Sequence, residues 1–481
     1  MNLRISRKSL KAFIFLSILF LGTIIYAYIT GNSKVLVFLP CILFGWGIYY
    51  CLSDFNNNIY LFCFLLCFLT FLLGGQIINS FMQVYGYDFS EDIEMHTNIA
   101  LTISLWGLMI GYILTDYIGK QKKNIYIEID YNTTYYLNIR YLSKWIFFIT
   151  YVFWIIVLLD NVLYVLQSGY LSYYLSYHSR VPAIIRQFGY MSPMALFVFL
   201  STMPTKRDAK YPIYMYTGYL LLSLGTGRRV YFMTGLLIIF AYVMLRNVIN
   251  PGETPWVTKK GFIKILIFIP VLLIIMYFFE YVRSDAYVGK SSNYSPIIGF
   301  FVRQGTSINV IKYGELFKNR LNSEAHYSLY NLIKWLQGNG TFFNKLLSLN
   351  YNFEMGRQTA ETAINGTYLA DFVSYNANKN VYLQGMGYGS CYIEELFIDY
   401  GYIGVFGGNF IYGILLCALL KNALKSHNIW KTAVGFYIVD LLFKAPRATF
   451  DAFIAQPLYI ECWGTLLLIF CVSYMYKKRR G

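Results

Sequence analysis

Apolar residues run through this chain in long blocks parted by short polar stretches. Ala12–Thr30, Ile59–Ile78, Lys144–Leu166 and Phe262–Glu280 each approach or exceed the length of a membrane helix, which is roughly 20 residues. Twelve blocks predict spans near 12–30, 35–52, 59–78, 98–115, 144–166, 189–204, 211–225, 230–246, 262–280, 395–420, 432–447 and 454–474. The expected fold is an all-α polytopic membrane protein of about 12 transmembrane helices, in a range of roughly 11–14. The N-terminal block reads as a retained helix, since it is too long for a signal peptide and lacks a small-x-small cleavage site.

Threading the spans alternately puts nearly every basic cluster on one side. With Arg4, Arg7, Lys8 and Lys11 inside, that side also holds Lys120–Lys123, Lys206–Lys210, Lys259 and Lys260, Lys421–Lys431 and the tail Lys477–Arg480. Cytoplasmic loops favour such charge, so both termini are expected in the cytoplasm. The division that follows is 1–280 with about nine spans, 281–390 as a large extracytoplasmic loop, and 391–481 with about three spans. Within the loop, Ser328–Ser348 reads as amphipathic helices broken at Gly338–Gly340, suited to lying along the membrane surface.

Composition agrees: 57% of residues are hydrophobic and 13% charged, against about 25% charged in soluble domains. The net charge of +16 comes from short inner loops, so no nucleic-acid partner is expected. The cysteines lie mostly in apolar blocks, with only Cys391 near a water-facing loop, and form neither a disulfide framework nor a metal motif. The four histidines are scattered; no metal and no cofactor are expected.

Chemistry is sought on the outer side, where arginines run against the basic-inside trend. They are Arg180, Arg186, Arg228, Arg229, Arg283, Arg303, Arg320, Arg357 and Arg447. Headgroup anchoring is the plainer reading of any one of them; several converging guanidinium forks would suit a pyrophosphate. The segment LGTGRRVYF (Leu224–Phe232) offers glycines for a tight turn and a helix start for an anion. A glycine turn with two snorkelling arginines accounts for it equally well. Glu394, Glu395 and Asp399 lie where the chain re-enters the membrane, in GMGYGSCYIEELFIDYGYIGVFGG. Gly385–Gly389 reads there as a flexible turn, and Gly401, Gly404 and Gly408 as a packing seam on a helix. Asp440 and Lys444, four apart in a span, either neutralise one another or serve a proton-coupled carrier.

The layout of spans, the late outer loop, LGTGRR and GYGSCYIEELFIDYGYIGVFGG resemble the Wzy-type oligosaccharide repeat-unit polymerases of bacterial O-antigen and capsule synthesis. The resemblance implies a GT-C-like membrane glycosyltransferase of the bacterial cytoplasmic membrane. Such an enzyme moves a growing glycan from polyprenyl pyrophosphate to a new lipid-linked repeat unit, without nucleotide sugar or metal. Its partners would be lipid-linked donor and acceptor, membrane lipids, and, as candidates, a chain-length regulator and a flippase. It implies pyrophosphate binding by Arg228 and Arg229 on the glycine–arginine turn. Arg283, Arg303, Arg357, Arg180 and Arg186 join them by topology alone. A base is also required; Glu395 is nominated, with Glu394 and His326 behind it, although the resemblance does not fix that role. The alternatives are an O-antigen ligase and, in another class, a polysaccharide flippase or other proton-coupled transporter.

Overall fold

The computed structural model describes residues 7–82, 89–121, 131, 133–250, 254–278, 295–322, 324–338, 358–425 and 428–480. Among them regular structure is helical, with no strand. Helices stand at each predicted span: α1 (Arg7–Thr30), α2 (Phe38–Ser53), α3 (Asn56–Met82), α4 (Glu91–Gln121), α5 (Thr134–Ser168) and α6 (Ala183–Ser201). Then come α7 (Lys206–Ser223), α8 (Arg229–Ile249) and α9 (Lys259–Phe278). Short helices follow, among them α10 (Pro296–Gln304), α11 (Ile308–Leu316), α12 (Tyr330–Gly338) and α13 (Leu369–Ala377). The chain ends with α14 (Tyr392–Lys425), α15 (Ile429–Lys444) and α16 (Ile460–Arg480).

Among the described residues, seven helical stretches are long and apolar enough to cross a bilayer, or eight if the pair Ala452–Leu458 and Ile460–Met475, bent by 54°, makes one span. The chain is therefore a multi-pass membrane protein. Helices such as α7, which opens on KRDAK and contains Pro212, and α15, at 16 residues, fall outside that set.

The centre of the bundle is the contact of α4 with α14, which run in the same direction. His96 meets Tyr402 near one end, and Lys421 Nζ meets Asp116 Oδ1 at 2.8 Å near the other. Three glycines let the backbones touch. A Cβ on Gly107 would lie 2.4 Å from the Phe406 carbonyl oxygen, one on Gly111 2.2 Å from that of Phe410, and one on Gly413 2.2 Å from that of Leu108. The GxxxG pair Gly107/Gly111 on α4 thus does what such pairs do in membranes, bringing two helices within backbone contact.

Read as one continuous span, α14 is corrected by the structure. Gly401 has φ 64° and ψ −161°, a region open essentially to glycine alone, and there the chain reverses. The Tyr392 hydroxyl donates to Asn409 Oδ1 at 2.6 Å, and the Tyr392 and Tyr412 rings stack at 5.1 Å. In a straight helix twenty residues would separate them by about 30 Å. The first arm, 392–400, therefore folds back along the second, 402–425. Gly408 is part of this packing, since a Cβ there would lie 2.4 Å from Leu396 Cδ1. Cys391, expected near a water-facing loop, is fully buried at the base of the hairpin. The Gly385–Gly389 turn is closely packed. Gly385 has φ +92° and abuts the Leu171 carbonyl, and Gly387 abuts Ser374.

Helices α10–α13 pack at one end of the bundle, the loop end. Two carboxylates fasten α12 there. Asp399 accepts from the backbone N–H of Tyr327 (3.1 Å) and Ser328 (2.8 Å) and from the Ser328 hydroxyl (2.6 Å). Asp451 accepts from Leu332 N–H at 2.7 Å and from Asn331 Nδ2 at 2.8 Å, while Asn331 also donates to Thr449. A third tie is buried: Lys312 on α11 donates to Glu94 on α4, which also accepts from Gln76 at 2.8 Å. Burial holds the Lys312 pKa below its ordinary value even with Glu94 opposing that shift.

Candidate active site

The glycine–arginine turn is built as its sequence suggests, but it separates the two arginines. After α7 a 3₁₀ turn, Leu224–Thr226, closes on Gly227, whose φ of 73° is left-handed. That conformation is cheap only for glycine. Arg228 follows with non-helical φ −90° and ψ 74°, and Arg229 begins α8. This geometry turns Arg229 inward, where it is 6% exposed, and leaves Arg228 half-buried over the Tyr173 ring, 5.2 Å from its centroid.

Arg229 Nη1 donates to the Met276 carbonyl at 3.4 Å. With the Gln304 amide turned so that its oxygen faces the guanidinium, that oxygen also accepts from Arg229 Nε at 3.0 Å and Nη2 at 3.2 Å. The Gln304 backbone carbonyl accepts from Arg447 Nη1 at 2.9 Å. One buried glutamine at the end of α10 thus joins arginines that lie 218 positions apart in the chain (447 − 229). Gly389 fits against Arg447, where a Cβ would be 3.2 Å from Cγ. Three residues before Arg447, Lys444 pairs with Asp440 at 2.5 Å and stands 5.0 Å from the centroid of the Tyr231 ring. Arg229 and Arg447 therefore bring two guanidinium groups to the loop ends of α8 and α15, with the Lys444–Asp440 ion pair beside them.

The other nominated arginines that are described have surroundings of their own. Arg228 and Arg186 share a tyrosine-rich neighbourhood with Tyr173 and Tyr190. Arg180 is exposed, and its backbone N–H donates to Asp160 at 3.2 Å. Arg303 is half-buried beside Gln304 at the end of α10. Arg283 and Arg357 lie outside the described residues.

The nominated bases sit in different surroundings. Glu395 is fully buried; one oxygen accepts from the Ser390 hydroxyl and the other from Phe450 N–H at 2.8 Å. Glu394 is equally buried. Its Oε2 lies 3.4 Å from His96 Nε2, and His96 Nδ1 lies 2.9 Å from the Tyr402 hydroxyl. Its Oε1 has no hydrogen-bond partner and presses on Gly314, where a Cβ would lie 2.2 Å away. Both carboxylates are closed off from solvent. His326 is exposed and heads the 3₁₀ turn that Asp399 caps.

Several residues of this site carry no local signal in the sequence. Gln304 is an uncharged residue in a loop helix, and His96 and Lys312 acquire meaning only from partners on other helices. Asp371 is 6% exposed on α13, and burial pushes its carboxyl up to about 7. Asp451 is likewise raised by burial, against the hydrogen bonds it accepts.

A family model described as O-antigen polysaccharide polymerase Wzy matches residues 12–480. No curated protein and no solved structure matches the chain.

Proposed function

Because the chain belongs to the O-antigen polysaccharide polymerase family, Wzy, we propose that it joins lipid-linked repeat units by block transfer on the outer face of the bacterial cytoplasmic membrane. In this reading the loop end faces outward, the chain crosses about 12 times in a GT-C-like arrangement, and both termini are cytoplasmic. The acceptor hydroxyl attacks the anomeric carbon of the growing glycan, and polyprenyl pyrophosphate leaves.

The observation that carries the reading is the Arg229–Gln304–Arg447 unit with Lys444 beside it. A leaving pyrophosphate gains charge as its bond to carbon breaks, and fixed cations in a partly dry site stabilise that charge more than water does. Gln304 holds the two guanidinium groups in place before substrate arrives, so less reorganisation is needed during reaction. Arg303, Arg228 and Arg186, with Arg283, Arg357 and Arg180, are assigned to the lipid-linked substrates and the surrounding headgroups. Glu394 and Glu395 are assigned to holding the α14 hairpin. The family match does not favour the ligase or transporter alternatives.

The test is chain extension by the purified protein given lipid-pyrophosphate-linked repeat units, read as a glycan ladder. Arg229→Ala and Arg447→Ala should each lower the extension rate by about 100-fold or more, the scale on which removing one transition-state donor acts. Wild-type ladders from both inner variants would remove the pyrophosphate assignment.

A further inference from the structure

If Glu394 and Glu395 hold the hairpin, the acceptor's proton needs another destination, and the loop helices supply one. Asp371 stands in the first turn of α13, almost wholly buried. The Tyr382 hydroxyl, which donates to the Thr359 carbonyl at 3.4 Å, and Lys334 of α12 are its electrostatic neighbours. One turn along the same face, Ser374 Oγ accepts from Tyr388 N–H at 2.9 Å, and a Cβ on Gly387 would lie 2.7 Å from that oxygen. Gly389, two residues on, rests against Arg447. Residues 387–389 are thus a glycine-lined strip with the Asp371 helix on one side and the arginine unit on the other. The neighbouring α12 is fastened to the chain directly after Arg447 by Asp451 and Thr449. Its Tyr330 stacks at 4.4 Å on Tyr368, three residues before Asp371.

We propose that Asp371 takes the proton of the acceptor sugar hydroxyl during transfer; the proposal rests on the polymerase reading. The acceptor oxygen forms a bond to the anomeric carbon, whose bond to the pyrophosphate oxygen breaks. That electron pair leaves with the lipid pyrophosphate, and the hydroxyl proton passes to the Asp371 carboxylate. The titratable and charged groups around Asp371 are Tyr382, Lys334 and Tyr330, with Tyr368 on its own helix. On α11, also packed against α13, Lys312 is engaged by Glu94 and Tyr313 stacks on Phe317. A carboxyl poised near neutrality suits the task, since a base works best with a pKa close to the working pH.

The sign of the linkage separates this role from a structural one. The folded-state value, about 7, lies above the ordinary 3.8. The folded protein therefore loses stability as pH rises between those values and does not regain it above them. Asp371→Asn removes the buried charge. Its thermal midpoint at pH 8 should match or exceed that of the wild type, while its extension rate falls by about 100-fold or more. Wild-type extension should rise with pH through about 7 and then level. Asp371→Glu should keep part of the rate on a displaced pH profile. Asp371→Asn extending at the wild-type rate, or losing rate and thermal midpoint together while Asp371→Glu shows the wild-type profile, would overturn the proposal. Wild-type protein that fails to extend the units at all would instead sink the polymerase reading.

Discussion

Glu395 fixes two chain segments with two oxygens, and that accounts for its burial without any role in proton transfer. Glu395→Ala would strand the Ser390 hydroxyl and the Phe450 N–H inside the protein. Each stranded group costs about 1–3 kcal/mol, so the thermal midpoint in detergent should drop markedly. A Glu395→Ala protein that keeps its midpoint yet makes no polymer would restore Glu395 as the base. A carboxylate at a membrane entry is visible as an anomaly, but its partner 55 positions away is not. The arginine turn teaches the same lesson. Adjacent arginines suggested one fork, yet a helix that starts at the second sends the two side chains apart, and the true companion of Arg229 is reached through Gln304.

Among the elements, hydropathy located the helices because burial in lipid demands apolar composition whatever the neighbours. It misread α14, since composition is blind to direction: 34 apolar-rich residues look the same as one long span or as a folded pair. Only the backbone at Gly401 distinguishes them, and a glycine among several others gives no notice of its φ. Gly401→Ala should cost about 1–3 kcal/mol, as strained non-glycine conformations do. Gly407→Ala, where an added methyl meets nothing within 4 Å, should stay within about 0.5 kcal/mol. Unfolding midpoints of the two variants, measured side by side, decide whether the reversal depends on that one residue.

Across the whole molecule, the proposed orientation is testable by labelling. In a cysteine-free background, His326→Cys should react in intact cells with a membrane-impermeant thiol reagent, and Lys431→Cys should react only after permeabilisation. The opposite pattern would invert the topology and place the arginine unit on the wrong face for lipid-linked glycans. The glycine contacts of α4 with α14 give this arrangement its fixed post. Gly111→Ala would drive a methyl into the Phe410 carbonyl, and overpacking of this kind costs about 1–3 kcal/mol.

The two carboxylates that fasten α12 have a mechanical consequence. Asp399 belongs to the hairpin and Asp451 to the segment after Arg447, and both grip residues 327–332. That short stretch is therefore pinned at both ends, to two separate parts of the bundle. Loss of either carboxylate leaves the other tie in place, so the stretch keeps one anchor until both are removed.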